Sequence, residues 1–409
     1  MIKINPIEDY RTIIGDEVLH TIHKKARPVY GKKVVHVNAT YVGGGVAEIL
    51  NALVPLMNDV GVDAGWRIVH GSPDFFNVTK SFHNGLQGQE IELTDEIKEL
   101  FTGTNSNFSK ITHFHHDCVI IHDPQPLPLI KFYRKRQPWV WRCHIDLSSP
   151  HEELWDFLQG YILKYDRVIL SHEKYRHKKL PVDYKIIHPA IDPLSDKNMI
   201  MLEKEMKAIL RENDVPLDKP IMCQISRFDK WKDPEGVLEV YKLVKKEVDC
   251  RLILCGNMAA DDPEGWQIFE DIQEKAKSLM DSGDVILLTR DSMKLVSALQ
   301  QASAVVLQKS TREGFGLTVT EALWKGTPVI GSNTGGIPLQ IIDGKTGYLV
   351  DPLDYEGCAK KVVDVLSNPE KAKKLADAGK EHVRKNFLIT RLLTDYLELA
   401  DEMINGFKK

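Results

Sequence analysis

Long apolar runs, paired cysteines and a strong excess of one charge are all missing from this 409-residue sequence. No apolar run reaches the ~18 residues of a membrane-spanning helix, and the first residues lack the apolar core of a signal peptide. The six cysteines are scattered without a Cys-x-x-Cys pair, which predicts buried thiols in a reducing compartment. A formal net charge of -4 disfavours binding to bulk nucleic acid or to a membrane. We therefore expect a cytoplasmic globular protein.

Two common phosphate-binding motifs are missing as well. Gly43-Gly44-Gly45 follows an apolar run at 33–38, but it fits neither Gly-x-Gly-x-x-Gly nor a P-loop, which would continue into Gly-Lys-Ser/Thr. Glycines between a strand and a helix let backbone amides approach an anion or a sugar closely. Gly44 and Gly45 are therefore candidate ligand-binding residues, and a tight turn is the simpler alternative.

Short apolar runs alternate with helical patterns along nearly the whole chain. Such alternation predicts parallel sheets covered by helices on both faces, which is an α/β fold of doubly wound domains. The predicted strands are 33–38, 66–70, 117–122, 139–145, 167–171, 185–188, 221–226, 251–255, 285–288, 304–308, 328–331 and 347–350. The predicted helices are 46–60, 95–102, 127–134, 152–163, 234–247, 264–280, 293–302, 317–325, 355–367 and 389–405.

At 409 residues the chain can hold two domains with separate cores. The polar helical segment 198–213, followed by a proline-containing stretch to 220, is the best candidate linker. We therefore predict an N-terminal domain at 1–213 and a C-terminal domain at 214–388, with the C-terminal helix 389–409 joining the first. Facing domains of this kind would line a shared cleft with the loops that follow their strands.

The stretch Glu313-Gly-Phe-Gly-Leu-Thr-Val-Thr-Glu321 is the strongest functional signal. Two glycines separate a carboxylate from a helix that begins near Leu317. The amino end of a helix presents unpaired N–H groups and a positive dipole end, which suit a phosphate. Glu321 lies one turn inside, close enough at ~1.5 Å rise per residue to reach a nucleotide ribose, while Glu313 stays outside near a donor sugar. Plain loop chemistry is the alternative for this stretch taken alone.

Two cations follow the predicted strand 221–226. Arg227 and Lys232 lie in its carboxyl-end loop, where open α/β sheets bind ligands. Arginine clamps phosphate oxygens and lysine acts as a point charge, so together they could neutralise a departing diphosphate without a metal. A solvated basic turn is the alternative. Asn257, after the strand 251–255, fits a place near a base or ribose.

Polar residues also follow two strands of the first half. Asp123 comes directly after the strand 117–122, and His144 and Asp146 close the run at 139–145. Clustered polar groups at strand ends are typical of carbohydrate sites, where hydroxyls need oriented donors and acceptors. A buried histidine at a strand end is more often structural, which is the alternative for His144.

The chain resembles retaining glycosyltransferases of the GT-B type, family 4. Arg-x4-Lys at 227–232, Glu-Gly-Phe-Gly-Leu at 313–317 and Glu-Ala-x-x-x-Gly-x-Pro-Val-Ile-Gly at 321–331 match that family's pattern. A narrower resemblance, to the trehalose glycosyltransferring synthases and the retaining trehalose phosphorylases, rests on the segments 42–50, 75–84, 122–126, 141–148 and 191–195. The resemblance implies two Rossmann-like domains facing a central cleft.

The resemblance also implies an activity. Glucose would pass from a nucleoside-diphosphate glucose, with UDP, ADP or GDP left open, to the anomeric hydroxyl of free glucose, giving α,α-trehalose. The route would be front-face, without metal or other cofactor. The alternatives are a retaining trehalose phosphorylase, another family 4 transferase with a different acceptor, and a non-catalytic nucleotide-sugar sensor. A homodimer stays open, whereas nucleic-acid and membrane partners are not expected.

The roles of individual residues follow from the same resemblance. Arg227 and Lys232 would hold the diphosphate, Glu321 would bind the ribose, and Asn257 would lie on the donor side. Glu313 would act with the backbone amides of the turn to position donor glucose and phosphate; those amides belong to Phe315, Gly316 and Leu317. His144 would lie beside the donor sugar, and Gly44 and Gly45 would line the inner cleft. Asp123 and Asp146 are weaker candidates for the acceptor, and no residue is assigned to a metal.

Overall fold

The computed structural model describes residues 5–41, 43–177, 180–256, 263–290 and 292–407, which belong to two units. The first unit is Met1–Asp192 with Ile389–Lys409, and the second is Pro193–Leu388. Each unit, in its described part, is built on a parallel sheet of six strands. None of the helices in these ranges is both long and apolar enough to cross a membrane.

The sheet of the first unit has the strand order β2-β1-β3-β4-β5-β6. Its central strands are buried apart from Lys33, as expected for a parallel sheet covered on both faces. The strands are β1 Lys33–Asn38, β2 Asp63–Ile68, β3 Cys118–His122, β4 Trp139–Arg142, β5 Arg167–Leu170 and β6 Tyr184–Ile186. The helices are α1 Arg11–Ala26, α2 Gly45–Asp59, α3 Pro73–Leu86, α4 Asp95–Ile111 and α5 Glu152–Ile162, with 3-10 turns at Ile7–Tyr10, Arg27–Val29, Leu127–Lys131 and Glu173–Tyr175.

The second unit repeats this plan with the strand order β12-β11-β10-β7-β8-β9. The strands are β7 Ile221–Ile225, β8 Arg251–Cys255, β9 Val285–Leu288, β10 Val305–Gln308, β11 Val329–Ser332 and β12 Tyr348–Val350. The helices are α6 Glu203–Glu212, α7 Pro234–Val244, α8 Pro263–Asp281, α9 Met293–Ala302, α10 Leu317–Trp324, α11 Ile337–Gln340, α12 Tyr355–Ser367 and α13 Pro369–Asn386, with a 3-10 turn at Lys230–Lys232.

The last helix, α14 (Ile389–Asn405), returns to the first unit. Its amphipathic pattern buries one face, including Leu393, Tyr396 and Leu397. The helix packs on α1 and α2, and the ring centroids of Tyr396 and His36 in β1 lie 5.6 Å apart. Removing α14 would therefore expose apolar side chains of the first unit.

Each sheet reverses its strand order once. In the first unit β1 pairs with β2 on one side and β3 on the other, and in the second β7 lies between β8 and β10. Open parallel sheets bind ligands outside the carboxyl ends of strands at such a reversal. The predicted site residues that the structure describes follow β1, β3, β4, β7 and β10, so they lie at the edges where ligands are expected.

The predicted fold class of two doubly wound α/β domains is confirmed, and several element limits are corrected. Helix α4 runs to Ile111 instead of ending at 102, because buried Phe101, Asn105 and Phe108 continue its inner face through a stretch of poor helix formers. Strand β4 ends at Arg142 instead of 145. The sequence prediction missed α1, α3, α11 and α13.

The boundary between the two units lies at 192/193 and not at the predicted 213/214. Helix α6 packs on α9 in the second unit. Upstream of α6, the backbone N–H of Met201 donates to the Gln301 side chain at 2.9 Å, and Gln301 donates back to the Met201 carbonyl at 2.9 Å. These contacts join 193–213 to the second unit. All six cysteines are buried free thiols, as predicted.

Candidate active site

The turn before α10 is held in one conformation by close packing. Gly316 caps the helix with φ +82°, in the left-handed region that favours glycine. Gly335 also has a positive φ, and a Cβ there would lie 1.6 Å from the Glu313 carbonyl oxygen. The Gln340 side chain donates to the Phe315 carbonyl and accepts from the Thr320 hydroxyl. The amino end of α10, which begins at Leu317, is therefore fixed as an anion site would require.

Lys232 and Glu313 meet in the structure. Lys232 Nζ lies 2.6 Å from Glu313 Oε2, and the side chains of Gln308 and Ser310 donate to the same oxygen at 3.1 Å. The side chains of Lys232 and Glu313 are only 17% and 10% exposed. Two residues 81 positions apart in the sequence thus form one partly buried ion pair at the turn.

A glutamine that the sequence analysis missed joins the two loops. The Gln224 side chain donates to the Lys232 carbonyl at 2.9 Å and accepts from the Lys309 N–H at 3.0 Å. Gln224 and Gln308 are both buried near the carboxyl ends of apolar strands. A polar residue at the end of a buried strand is the signal that could have found them, because a buried amide requires partners.

Arg227 has a different partner from Lys232. Its guanidinium lies 2.9 Å from Asp229 Oδ2, and its side chain is 60% exposed. Asp229 in turn accepts the Trp231 N–H at 2.8 Å. The predicted pairing of Arg227 with a diphosphate stays a prediction, and Asn257 lies outside the described residues.

The Glu321 carboxylate is buried and held by neighbours on the second unit. Lys197 Nζ lies 2.8 Å from one oxygen and Gln300 donates to the other at 2.9 Å. Lys325 donates to Gln300 and to the Lys197 carbonyl. Burial raises the pKa of Glu321, but the charges of Lys197 and Lys325 outweigh it and the pKa lies below its ordinary value. The ribose-binding role of Glu321 stays a prediction.

Three histidines of the first unit form a hydrogen-bonded series that was not predicted. His36 Nδ1 lies 2.9 Å from His122 Nε2, and His122 Nδ1 lies 3.1 Å from His144 Nε2. They come from β1, β3 and the residues after β4, which are neighbours in the sheet. His36 and His122 are buried and His144 is partly exposed. We call this set the histidine series.

The other predicted residues of the first unit lie in the loops after β1, β3 and β4. Asp123 has φ +60° and its Oδ1 accepts the His144 backbone N–H at 2.8 Å. Burial raises the pKa of Asp123 to about 6. Asp146 accepts the Ser148 N–H at 2.8 Å. Gly44, with φ +79°, caps α2, which begins at Gly45. These contacts shape the loops, and the sugar contacts of these residues stay predictions.

We expect acid to destabilise the first unit, because the buried histidine series resists protonation. Burial lowers the pKa of His36 to about 3, whereas an unfolded histidine binds a proton near pH 6.5. The free energy of unfolding therefore falls as the pH drops through 6.5. Between pH 7 and pH 5 the contribution of His36 to this loss should be roughly 2 kcal/mol. His36→Asn, which takes up no proton, should flatten the pH dependence of the unfolding free energy by that amount, measured by urea titration. His20→Asn, at an exposed position of α1, is the control, and equal slopes for His36→Asn and the unmodified chain would contradict the prediction.

Comparison with known proteins identifies the family. Residues 36–177 match the model of the trehalose synthase N-terminal domain, and residues 205–382 match that of glycosyl transferases group 1. Trehalose synthase from Thermococcus litoralis is 50% identical over 399 residues, covering 97% of this chain and 96% of that protein. The chain belongs to the trehalose synthase family.

More distant similarities agree with this family. Trehalose phosphorylase from Pleurotus pulmonarius is 30% identical over 433 residues, which cover 93% of this chain and 58% of that protein. The structure of sucrose-phosphate synthase from Thermosynechococcus elongatus superposes with a TM-score of 0.73 at 16% identity, covering 92% of this chain and all of that one. The chain is thus a glycosyltransferase of trehalose metabolism with the GT-B fold, and it acts on a sugar donor and a sugar acceptor. The resemblance found in the sequence is confirmed at that level.

Proposed function

We propose that this chain transfers glucose, with retention, from a nucleoside-diphosphate glucose to the anomeric hydroxyl of free glucose, forming α,α-trehalose. The observation that carries the proposal is the Lys232–Glu313 ion pair beside the fixed amino end of α10. A cation and a helix amino end together suit a diphosphate leaving group, since both stabilise the negative charge that develops on it. Arg227, exposed in the same loop as Lys232, would add a second cation.

Retention by this site would follow a front-face route. The bond from the anomeric carbon to the phosphate oxygen breaks, and the bond to the acceptor oxygen forms on the same face. The acceptor proton passes to a phosphate oxygen. A double displacement would need a free carboxylate nucleophile. Glu313 suits that role poorly, because Lys232, Gln308 and Ser310 all bind one of its oxygens.

The remaining residues have supporting roles in this proposal. Glu321 would bind the ribose and the backbone amides of Phe315, Gly316 and Leu317 would bind phosphate. In the first unit His144, Gly44 and Gly45 would contact the donor, and Asp123 and Asp146 the acceptor. The cations Lys232 and Arg227 would take the charge-neutralising role that a divalent metal has in other transferases, so no metal or cofactor is included.

The competing function is phosphorolysis of trehalose, since a trehalose phosphorylase is among the relatives. The same cations could bind inorganic phosphate without a nucleotide. A buried carboxylate such as Glu321 within α10 favours a ribose-bearing donor, because it has no use in binding an anion. Nucleotide dependence therefore separates the two functions.

We expect α,α-trehalose and free nucleoside diphosphate when the chain is incubated with glucose and UDP-, ADP- or GDP-glucose. The yield should be unchanged by EDTA, because protein cations neutralise the leaving group. Products are identified by chromatography against standards. Parallel reactions with trehalose and inorganic phosphate test the competing function, and glucose 1-phosphate formed only there would overturn the transferase proposal. Loss of transfer in EDTA would contradict the metal-free route.

A further inference from the structure

The histidine series links the tautomers of its three members. A neutral imidazole carries one N–H and one acceptor nitrogen, so the direction of one N–H···N bond sets the direction of the next. All three rings are neutral at pH 7, because burial holds each pKa well below its ordinary value. Only two arrangements of protons then satisfy both bonds.

The two arrangements differ at the ends of the series. In the first, His36 Nδ1 donates to His122 Nε2, and His122 Nδ1 donates to His144 Nε2, which leaves His144 with its proton on Nδ1. In the second, both bonds run the other way, and His36 carries its proton on Nε2. His36 Nε2 is buried and has no partner among the described residues. An orphaned buried N–H is rarer than an acceptor without a donor, so the first arrangement is favoured.

We propose that His36 and His122 are positioning residues that hold His144 as the Nδ1–H tautomer. His144 is partly exposed, and its Nδ1 has no hydrogen bond to any residue in the described ranges. The Asp123 carboxylate fixes the His144 backbone N–H, so the ring is anchored from two sides. His144 therefore presents a hydrogen-bond donor, not an acceptor, to a sugar oxygen. This role toward sugar rests on the proposed function, whereas the tautomer does not.

The tautomer is measured directly by NMR of the full chain with nitrogen-15 histidine. Long-range proton–nitrogen spectra at neutral pH distinguish a protonated Nδ1 from a protonated Nε2, and His144→Ala assigns the signals by their loss. We expect His144 to show a protonated Nδ1 and an unprotonated Nε2. A protonated Nε2 at His144, or a charged ring, would overturn the proposal. The tautomer is read from the spectrum of the unmodified chain, and the variant serves only to assign the His144 signals.

A matched pair of variants at His36 tests the consequence for transfer. Asparagine can donate to His122 Nε2 from its amide, whereas leucine cannot. We expect His36→Leu to give mixed tautomers at His144 and to lower kcat/KM about tenfold, the order of one misdirected hydrogen bond, with UDP, ADP and GDP affinities within about twofold. His36→Asn should keep the Nδ1–H signal and stay within about threefold of the unmodified chain.

The outcomes separate this inference from the proposed function. Equal kcat/KM for His36→Leu and His36→Asn would overturn the positioning role of His36. Weaker nucleotide affinity in His36→Leu would overturn it as well, since a general structural defect would then account for the loss. Absence of any transfer by the unmodified chain would overturn the proposed function, and the NMR spectrum would still decide the tautomer.

Discussion

Lys232→Ala should lower kcat by about 10²–10³, because losing one donor that stabilises developing charge costs ~3–4 kcal/mol in comparable sites. The structure adds a second reason for a large effect. Lys232 also neutralises Glu313, whose side chain is only 10% exposed. Without the lysine that carboxylate would face the leaving diphosphate as a like charge. The measurement is trehalose formation at saturating donor and acceptor.

Lys230→Ala is the matched control for Lys232→Ala. Lys230 belongs to the same 3-10 turn but is exposed, so its loss should change kcat little. Arg227→Ala tests the second predicted cation and should also lower kcat by orders of magnitude. Turnover of Lys232→Ala within threefold of the unmodified chain would remove its assigned role.

Lys197→Met should destabilise the second unit by about 3 kcal/mol, the lower end of the effect of removing one partner from a buried ion pair. The Glu321 carboxylate is 1% exposed, and among the described residues it would keep the Gln300 amide and the more distant charge of Lys325. The lower end applies because these neighbours still compensate part of the buried charge. Hydrogen exchange of peptides covering α10 reports the local loss of stability.

A double-mutant cycle separates the ion pair from general packing. Lys197→Met combined with Glu321→Gln removes both charges. The double variant should therefore lose less unfolding free energy than the sum of the losses in the two single variants. Lys207→Met is the control, since Lys207 pairs on the surface of α6 with Glu203 and should cost less than about 1 kcal/mol. If the losses of unfolding free energy at 197 and 321 were additive, the two side chains would not be energetically coupled.

The glycine-containing turn before α10 was predictable, whereas the partners of exposed side chains were not. Glycines between β10 and α10 are a strong local signal, because few other residues fit a positive φ and a close backbone approach. The pairing of Lys232 with Glu313 follows once both loops end neighbouring strands. Arg227 instead contacts Asp229, and exposed ion pairs differ by less than about 1 kcal/mol, so sequence reasoning could not choose between partners.

The histidine series was missed because its members are distant in sequence. His36 and His122 are 86 positions apart, and His122 and His144 are 22 apart. Only the strand order β1-β3-β4 brings them together, and that order is a property of the whole sheet. Lys197 was missed for a related reason, since the segment before α6 resembles a linker in composition yet packs on the second unit. In both cases the contacts join residues that are distant in the sequence, and the local pattern of apolar residues carries no information about such contacts.

The return of α14 to the first unit has a consequence for biosynthesis. Residues 1–192 are synthesised before the second unit, whereas α14, which packs on them, is synthesised after it. The second unit is contiguous from 193 to 388, so its core needs no later segment of the chain. The half of the chain made first therefore lacks its covering helix until α14 has followed the whole of the second unit.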